Sequence, residues 1–176
     1  MKRLIGTALV VTLAAVCAFG QTNQGRKGPL AERTQGRKGD QNKPPAGGGS
    51  YVVGKNYYNT VVDGDQREYY VHVPKSYNKA MATPVVFMLH GTSGDGLKFY
   101  NISGWKELGE TENILTVFPS SWRHCIIDQG EKTNTTKWNI YPGSFEYCPG
   151  QVPKNDIKFL NQVIDEMVAK FNVDQK

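Results

Sequence analysis

The sequence predicts an α/β fold, an antiparallel hairpin followed by parallel β-α-β strands. Three observations carry that prediction. Two β-rich runs flank Asp63-Gly64-Asp65, a strong hairpin signal. Two later runs, Pro84–Leu89 and Ile114–Pro119, are continuously apolar, as strands covered on both faces are. Helical patterns follow each of them, and such alternation implies right-handed crossovers onto a mostly parallel sheet.

Taken in order, "YVVGKNYYNTVV" and "QREYYVHV" form the hairpin, the second with large side chains on both faces. After a proline-bounded connection, "PVVFML" is the first buried strand. Gly96 to Glu112 reads as one helix with Phe99, Ile102, Trp105 and Leu108 near one side. "ILTVFP" is the second buried strand, and Ser120 to Pro153 reads as a long loop rich in aromatics, Gly and polar residues. The last element is a helix capped by Asn155, with Ile157, Leu160, Ile164, Met167 and Phe171 recurring at helical spacing. A further strand is due after it, so the domain reads as incomplete at its C-terminal side.

Charge divides the chain. The formal net charge is +5, but Met1–Ser50 holds eight Lys/Arg against Glu32 and Asp40, leaving the remainder at −1. A nucleic-acid-binding domain would carry its basic face on folded structure, and this one does not. Lys2-Arg3 followed by the uncharged run Leu4–Phe19 and small residues has the form of an export signal over 1–20, shorter than a membrane-spanning helix requires. Residues 21–50 repeat "QGRKG" and end in "PPAGGGS", the composition of a flexible basic tether. The domain proper is 51–176. These segments point to a secreted protein, extracellular or periplasmic, without stable membrane insertion. Export also suits the cysteines: beyond Cys17 in the leader, Cys125 and Cys148 form an even pair that could bridge.

The chemistry-bearing stretch is "VVFMLHGTSGDG", Val85–Gly96. A nucleophile elbow requires G-x-S-x-G directly after a strand, and around Ser93 the second glycine is misplaced. No other serine fits, Ser144 in "PGSFEY" included. The alternative uses backbone: a His-Gly pair at a strand tip turns the chain sharply and leaves amides such as that of Thr92 facing open space, where they can stabilise an oxyanion. His72 reads as a packed strand residue, and His124 as a structural loop residue, with facing solvent or substrate as its alternative. Trp122, Trp138 and Tyr141, with Tyr147, form a candidate substrate pocket for an aromatic acyl group or a sugar.

At this point the blocks "REYYVHVPKSY", "PVVFMLHGTSGDG", "ILTVFPSSW" and "NDIKFLNQVIDEMVAKFNVDQK" are similar, in order, to the secreted esterase family of polyhydroxybutyrate depolymerases and feruloyl or acetylxylan esterases. The resemblance implies the N-terminal portion of an α/β-hydrolase fold. It implies that Thr92 donates its amide to the oxyanion hole, in a loop shaped by His90 and Gly91. In that family a "VD" such as Val173-Asp174 leads into a strand and G-x-S-x-G, with the acid and His later. None of the triad is then present in this sequence, and the chain alone is expected to be inactive. It implies an ester substrate (plant cell-wall feruloyl or acetyl ester, or polyhydroxyalkanoate), a monomer, and no metal or organic cofactor. A different expectation is a non-catalytic secreted module that binds carbohydrate or polymer through its Trp/Tyr-rich loop. The leader reading is checked by intact mass of the exported protein, expected to begin at Phe19 or Gln21; retention of Met1 would refute it.

Overall fold

A computed structural model describes residues 50–141, 143 and 145–175. The leader, the tether up to residue 49, and Ser144 lie outside the described residues. Two strands, β1 (Gly54–Val62) and β2 (Asp65–Val73), pair antiparallel from Gly54↔Val73 to Val62↔Asp65. The connection is Asp63-Gly64, both at positive φ (53° and 85°), the backbone of a hairpin turn whose twist matches its strands. Next come β3 (Val85–Phe87), α1 (Gly96–Ile102), α2 (Trp105–Glu112) and β4 (Leu115–Pro119). The strand order is β1-β2-β4-β3. Among the strands of the described residues, β3 and β4 pair in parallel, while β2 pairs antiparallel with both neighbours. The sheet is therefore mixed rather than mostly parallel, because the hairpin inserts at the β4 edge.

Helices cover both faces, giving three layers. Strand alternation sends Tyr58, Tyr69, Val71, Val73, Leu115 and Val117 towards α3 (Asp156–Lys170), where Phe159, Val163 and Met167 meet them. The opposite face sends Tyr57, Tyr70 and Phe118 towards Tyr100, Leu97 and Phe99 of α1. The cross-strand neighbours Tyr57/Tyr70 and Tyr58/Tyr69 each hold their rings 5.3 Å apart, so one register serves both cores.

Three expectations are corrected. The stretch Gly96–Glu112 is two helices, not one: Ser103 caps α1 and Gly104 at φ 76° reorients the chain, which leaves Ile102 and Leu108 exposed. In α3 the expected Met167 is buried, as is Phe171 at its C-cap, but the stripe begins with Phe159 and Val163, each one position before the expected Leu160 and Ile164, and Ile157 is exposed. Both stripes have helical spacing, so the period fixes a helix without fixing which side faces the sheet. The segment Ser120–Pro153 is no plain loop. It builds β5 (Arg123–Asp128), β6 (Glu131–Thr136) and β7 (Glu146–Tyr147), a second antiparallel sheet in the order β6-β5-β7. Gln129-Gly130, both at positive φ, is a second two-residue turn of the β1–β2 kind, hidden in a sequence whose β6 is almost wholly polar.

The second sheet is stapled by a disulfide, and the segment after α3 is fastened to the main sheet. Cys125 and Cys148 are disulfide-bonded, and a closed loop of this length contributes about 3 kcal/mol by the chain-entropy argument. Beyond α3, Val173 forms a parallel bridge to Thr83, with the Thr83 amide donating to Asn172 and the Asp174 amide to Thr83. That places residues 172–174 beside the free edge of β3, in line with its direction.

One ion pair ties these layers together. Arg67 of β2 meets Asp156, the first residue of α3, at 2.5 Å with both side chains essentially without solvent contact. Arg67 also donates to the Ser120 carbonyl at 3.2 Å, and its guanidinium lies 4.0 Å from the Phe159 ring centre. Asp156 accepts from the Asn139 amide at 2.7 Å. Removing one partner strands a buried charge, so Asp156→Ala is expected to cost about 3–5 kcal/mol in urea unfolding. A loss under about 1 kcal/mol would show the pair to be dispensable.

Candidate functional site

The candidate site is the turn at the tip of β3, and its geometry begins with His90. The side chain is 3% exposed. Its Nε2 accepts the Ser121 amide at 3.0 Å, which requires that nitrogen to be unprotonated. Its Nδ1 lies 2.7 Å from the Gly91 carbonyl and donates to it. Neutral imidazole protonated at Nδ1 satisfies both contacts. Burial pushes the His90 pKa below its ordinary 6.5, opposed by the Gly91 bond and by Asp95 and Asp156. The Trp138 indole N–H donates to the His90 carbonyl at 2.8 Å, and the two rings lie 5.1 Å apart.

The following residues are held by β6. The Ser93 amide donates to the Thr136 carbonyl at 2.9 Å, and the Ser93 and Thr135 hydroxyls share a hydrogen bond at 2.8 Å. Thr136 donates its hydroxyl to the Gly94 carbonyl at 2.5 Å. These bonds hold Ser93 at φ 64°, a region serine otherwise avoids. Asp95 caps α1 through the Lys98 amide, and Gly96 abuts β4 so closely that a Cβ there would sit 2.2 Å from the Phe118 carbonyl oxygen. Within this braced turn the Thr92 amide donates to no acceptor among the described residues, and Thr92 is exposed. A rigid turn with one open N–H can bind the oxygen of an attacked carbonyl without reorganising.

The nucleophile is a separate matter. Ser93 bonds Thr135 and no histidine. His72 contacts the Tyr100 hydroxyl (3.1 Å) and Glu110 (2.9 Å), joining β2 to both helices. His124 is fully buried rather than facing solvent: Nε2 accepts the Lys154 amide, Nδ1 has no partner among the described residues, and the Tyr147 ring packs edge-on 5.2 Å away. No histidine hydrogen-bonds a serine, threonine or cysteine side chain among the described residues, so no triad is assembled there.

Of the four aromatic residues read as one pocket, Tyr141 and Tyr147 line a common cleft, while Trp122 and Trp138 lie elsewhere. Trp122 lines a cleft of about 600 Å³ beside the turn. Trp138 is committed to the His90 carbonyl. Tyr141 is 70% exposed beside a different cleft, with Phe145 and Ile157. Arg67, Ser121 and Asp156 escaped sequence reasoning, since a charged residue in a strand gives no sign of a partner 89 positions away.

No protein-family model matches the chain. Over 138 residues it is 25% identical to the bifunctional acetylxylan esterase/xylanase XynS20E of Neocallimastix patriciarum, covering 76% of this chain. The match spans 17% of that protein's length. Among solved structures, the crystal structure of a thermostable esterase superposes with a TM-score of 0.44 at 15% identity, covering 69% of this chain and 32% of that one. The sequence similarity, though distant, is to an esterase.

The histidines give a pH prediction. His90 and His124 both have pKa values lowered by burial, so each is neutral in the fold and takes up a proton more readily when unfolded. Their contribution is complete above the unfolded value near 6.5 and is lost as pH falls below it. Urea midpoints are therefore expected to fall between pH 7.5 and pH 5, above the range of the depressed Glu166, Glu110 and Glu107 carboxylates. A flat profile there would contradict the buried neutral assignment.

Proposed function

We propose that the chain belongs to a secreted carboxylic ester hydrolase, related to polyhydroxybutyrate depolymerases and feruloyl or acetylxylan esterases, and supplies the oxyanion side of its site. The observation that carries the reading is the open Thr92 amide in a turn pinned by Thr135, Thr136 and Trp138. Two further points support it: the distant similarity to an acetylxylan esterase/xylanase, and the position of the turn directly after β3, where α/β-hydrolases place one oxyanion donor.

In this reading a serine attacks the ester carbonyl, a histidine takes the serine proton and later returns it to the leaving alcohol, and an acid orients that histidine. None of the three is assembled among the described residues, where residues 172–174 run parallel beside Thr83 at the free edge of β3. Negative charge grows on the carbonyl oxygen as its double bond opens, and the Thr92 N–H meets it. His90 holds the turn by bridging Gly91 to Ser121, and takes no part in proton transfer. Acetyl, feruloyl and hydroxyalkanoate esters all meet the requirements of that step.

The chain as given is expected to release no p-nitrophenol from p-nitrophenyl acetate above buffer; turnover would refute the missing nucleophile. Extended in frame through its next G-x-S-x-G segment, it is expected to hydrolyse that ester. Thr92→Pro, which deletes the amide hydrogen, then lowers kcat about 10²–10³-fold, whereas Thr92→Ala keeps the hydrogen and most of the activity. Equal activity of both variants would remove the oxyanion role from this turn.

A further inference from the structure

The main sheet has two edges, and they are finished differently. β1 forms one, and both its ends are occupied: Asn56 accepts the Val52 amide at 2.8 Å and donates to the Val52 and Gly54 carbonyls, and Gln162 donates to the Val61 carbonyl at 3.2 Å. β3 forms the other, Val85-Val86-Phe87, without a charged residue. The Pro84 carbonyl and the Met88 amide bond β4, so the even-numbered residues serve that neighbour. Thr83 turns its amide and carbonyl the other way, to Asn172 and Asp174. Val85 and Phe87 share the phase of Thr83, so their amides and carbonyls face the free edge beyond the bridge at Val173. An uncharged edge with unpaired backbone groups is a template for another strand.

An apolar helix flank lies on the same side. Lys158, Gln162, Glu166 and Lys170 recur every four residues and reach Asp63, Val61, Tyr69 and Tyr58 of the hairpin. The helical period turns Leu160, Ile164 and Val168, with Ile157, away from the hairpin and towards β3. Leu160 and Ile164 are half-buried, and Ile157 and Val168 are 46% and 41% exposed. The charges of α3 lie elsewhere: Asp156 is buried on Arg67, three others face the hairpin, and Asp165 is exposed on the outward side. Beneath the flank, Val85 and Phe87 are half-buried against the same core as Phe159 and Val163. Edge and flank thus form one continuous apolar strip.

We infer that this strip is an interface, and that its occupant is a second copy of the chain. An antiparallel copy with the two-fold axis at Val86 sets Val85 opposite Phe87 of the second copy, and each such pair exchanges two backbone hydrogen bonds. The same axis suits the helix. α3 starts level with the β3 tip, where Trp138 holds the His90 carbonyl and Asn139 holds Asp156, and it ends level with Thr83, where Asn172 pairs. Its midpoint is therefore level with Val86, and Ile164 meets Ile164 of the second copy. A strip without charge meets its own image without repulsion, and the folded part carries a net charge of only −1. α3 is about 22 Å long and about 10 Å across, so with the strand edge the strip offers on the order of 600 Å² per copy, the lower end of a specific pair. One open edge per main sheet closes the assembly as a dimer, where two would give a fibre. The inference departs from the monomer that the resemblance implies and stands apart from the esterase reading.

The test is the oligomeric state of the chain itself, by sedimentation velocity and light scattering from about 1 to 500 µM. A reversible monomer–dimer equilibrium is expected, with a dissociation constant on the order of 10 µM. Deuterium exchange at the Val85 and Phe87 amides is expected to slow as concentration rises, with β1 unchanged. Ile164→Lys and Ile164→Asp each set like charges across the axis and are expected to weaken the dimer at least about tenfold. Mixing the two variants restores association, because the axis then pairs opposite charges. Val168→Lys, at a more exposed position, weakens the dimer with the fold intact, whereas Ile102→Lys, an exposed apolar position on α1, leaves it unchanged. A chain that stays monomeric throughout would overturn the inference, leaving the edge to a strand of another polypeptide and the esterase reading untouched. A dimer indifferent to Ile164→Lys and Val168→Lys, or variants that fail to associate when mixed, would overturn it too.

Discussion

The contact between Arg67 and Asp156 is the constraint on which the rest of the structure depends. It joins the centre of the main sheet to the start of α3, and each partner carries a further bond into the region between them, Arg67 to the Ser120 carbonyl and Asp156 to the Asn139 amide. A fully desolvated pair is unfavourable unless its geometry is good and its remaining hydrogen-bonding capacity is used. Here the carboxylate also lies in the first turn of a helix, where the backbone amides favour negative charge. The pair thus fixes three segments distant in sequence around one point, and the cleft and the turn both lie against that point.

The turn after β3 shows how rigidity is supplied from outside the element that needs it. Within Gly91–Gly96 the turn around Thr92 and Ser93 is closed by one bond, the Gly94 amide donating to the Gly91 carbonyl at 3.1 Å. The other holding groups are Thr135, Thr136 and Trp138, which belong to the second sheet and the segment after it. That sheet has little apolar material of its own apart from Ile126. It is kept in place by the disulfide, by the Lys154 amide on His124, and by the Gln151 side chain on the Cys125 amide. A polar insertion stapled in this way acts as a brace for the turn, which accounts for its presence between β4 and α3.

Legibility from sequence followed physical locality. The β1–β2 hairpin was readable because its turn residues and its flanking runs are contiguous. The cap at Asn155 and the helix after it were readable for the same reason, although the side of the helix that faces the sheet was not. β5 and β6 escaped because exposed strands such as Glu131–Thr136 carry no hydrophobic alternation, and only Gln129-Gly130 marked the turn between them. The strand-tip turn could be located from His90-Gly91, but its braces lie 42 to 48 residues away.

By itself the sequence determined the α/β class and the order of hairpin, strand, helix and strand, and its glycine spacing set the turn at Thr92-Ser93 apart from a nucleophile elbow. Each of these rests on near-neighbour chemistry, turn residues, side-chain period and glycine spacing. Tertiary structure alone decided the mixed direction of the sheet, the burial of Arg67 with Asp156, the separation of Trp122, Trp138 and Tyr141, and the burial of the Ser121 hydroxyl without a partner among the described residues. Those features are set by which residues meet across long separations, and a buried charge or an unsatisfied hydroxyl acquires its meaning only from the partner that the fold brings to it.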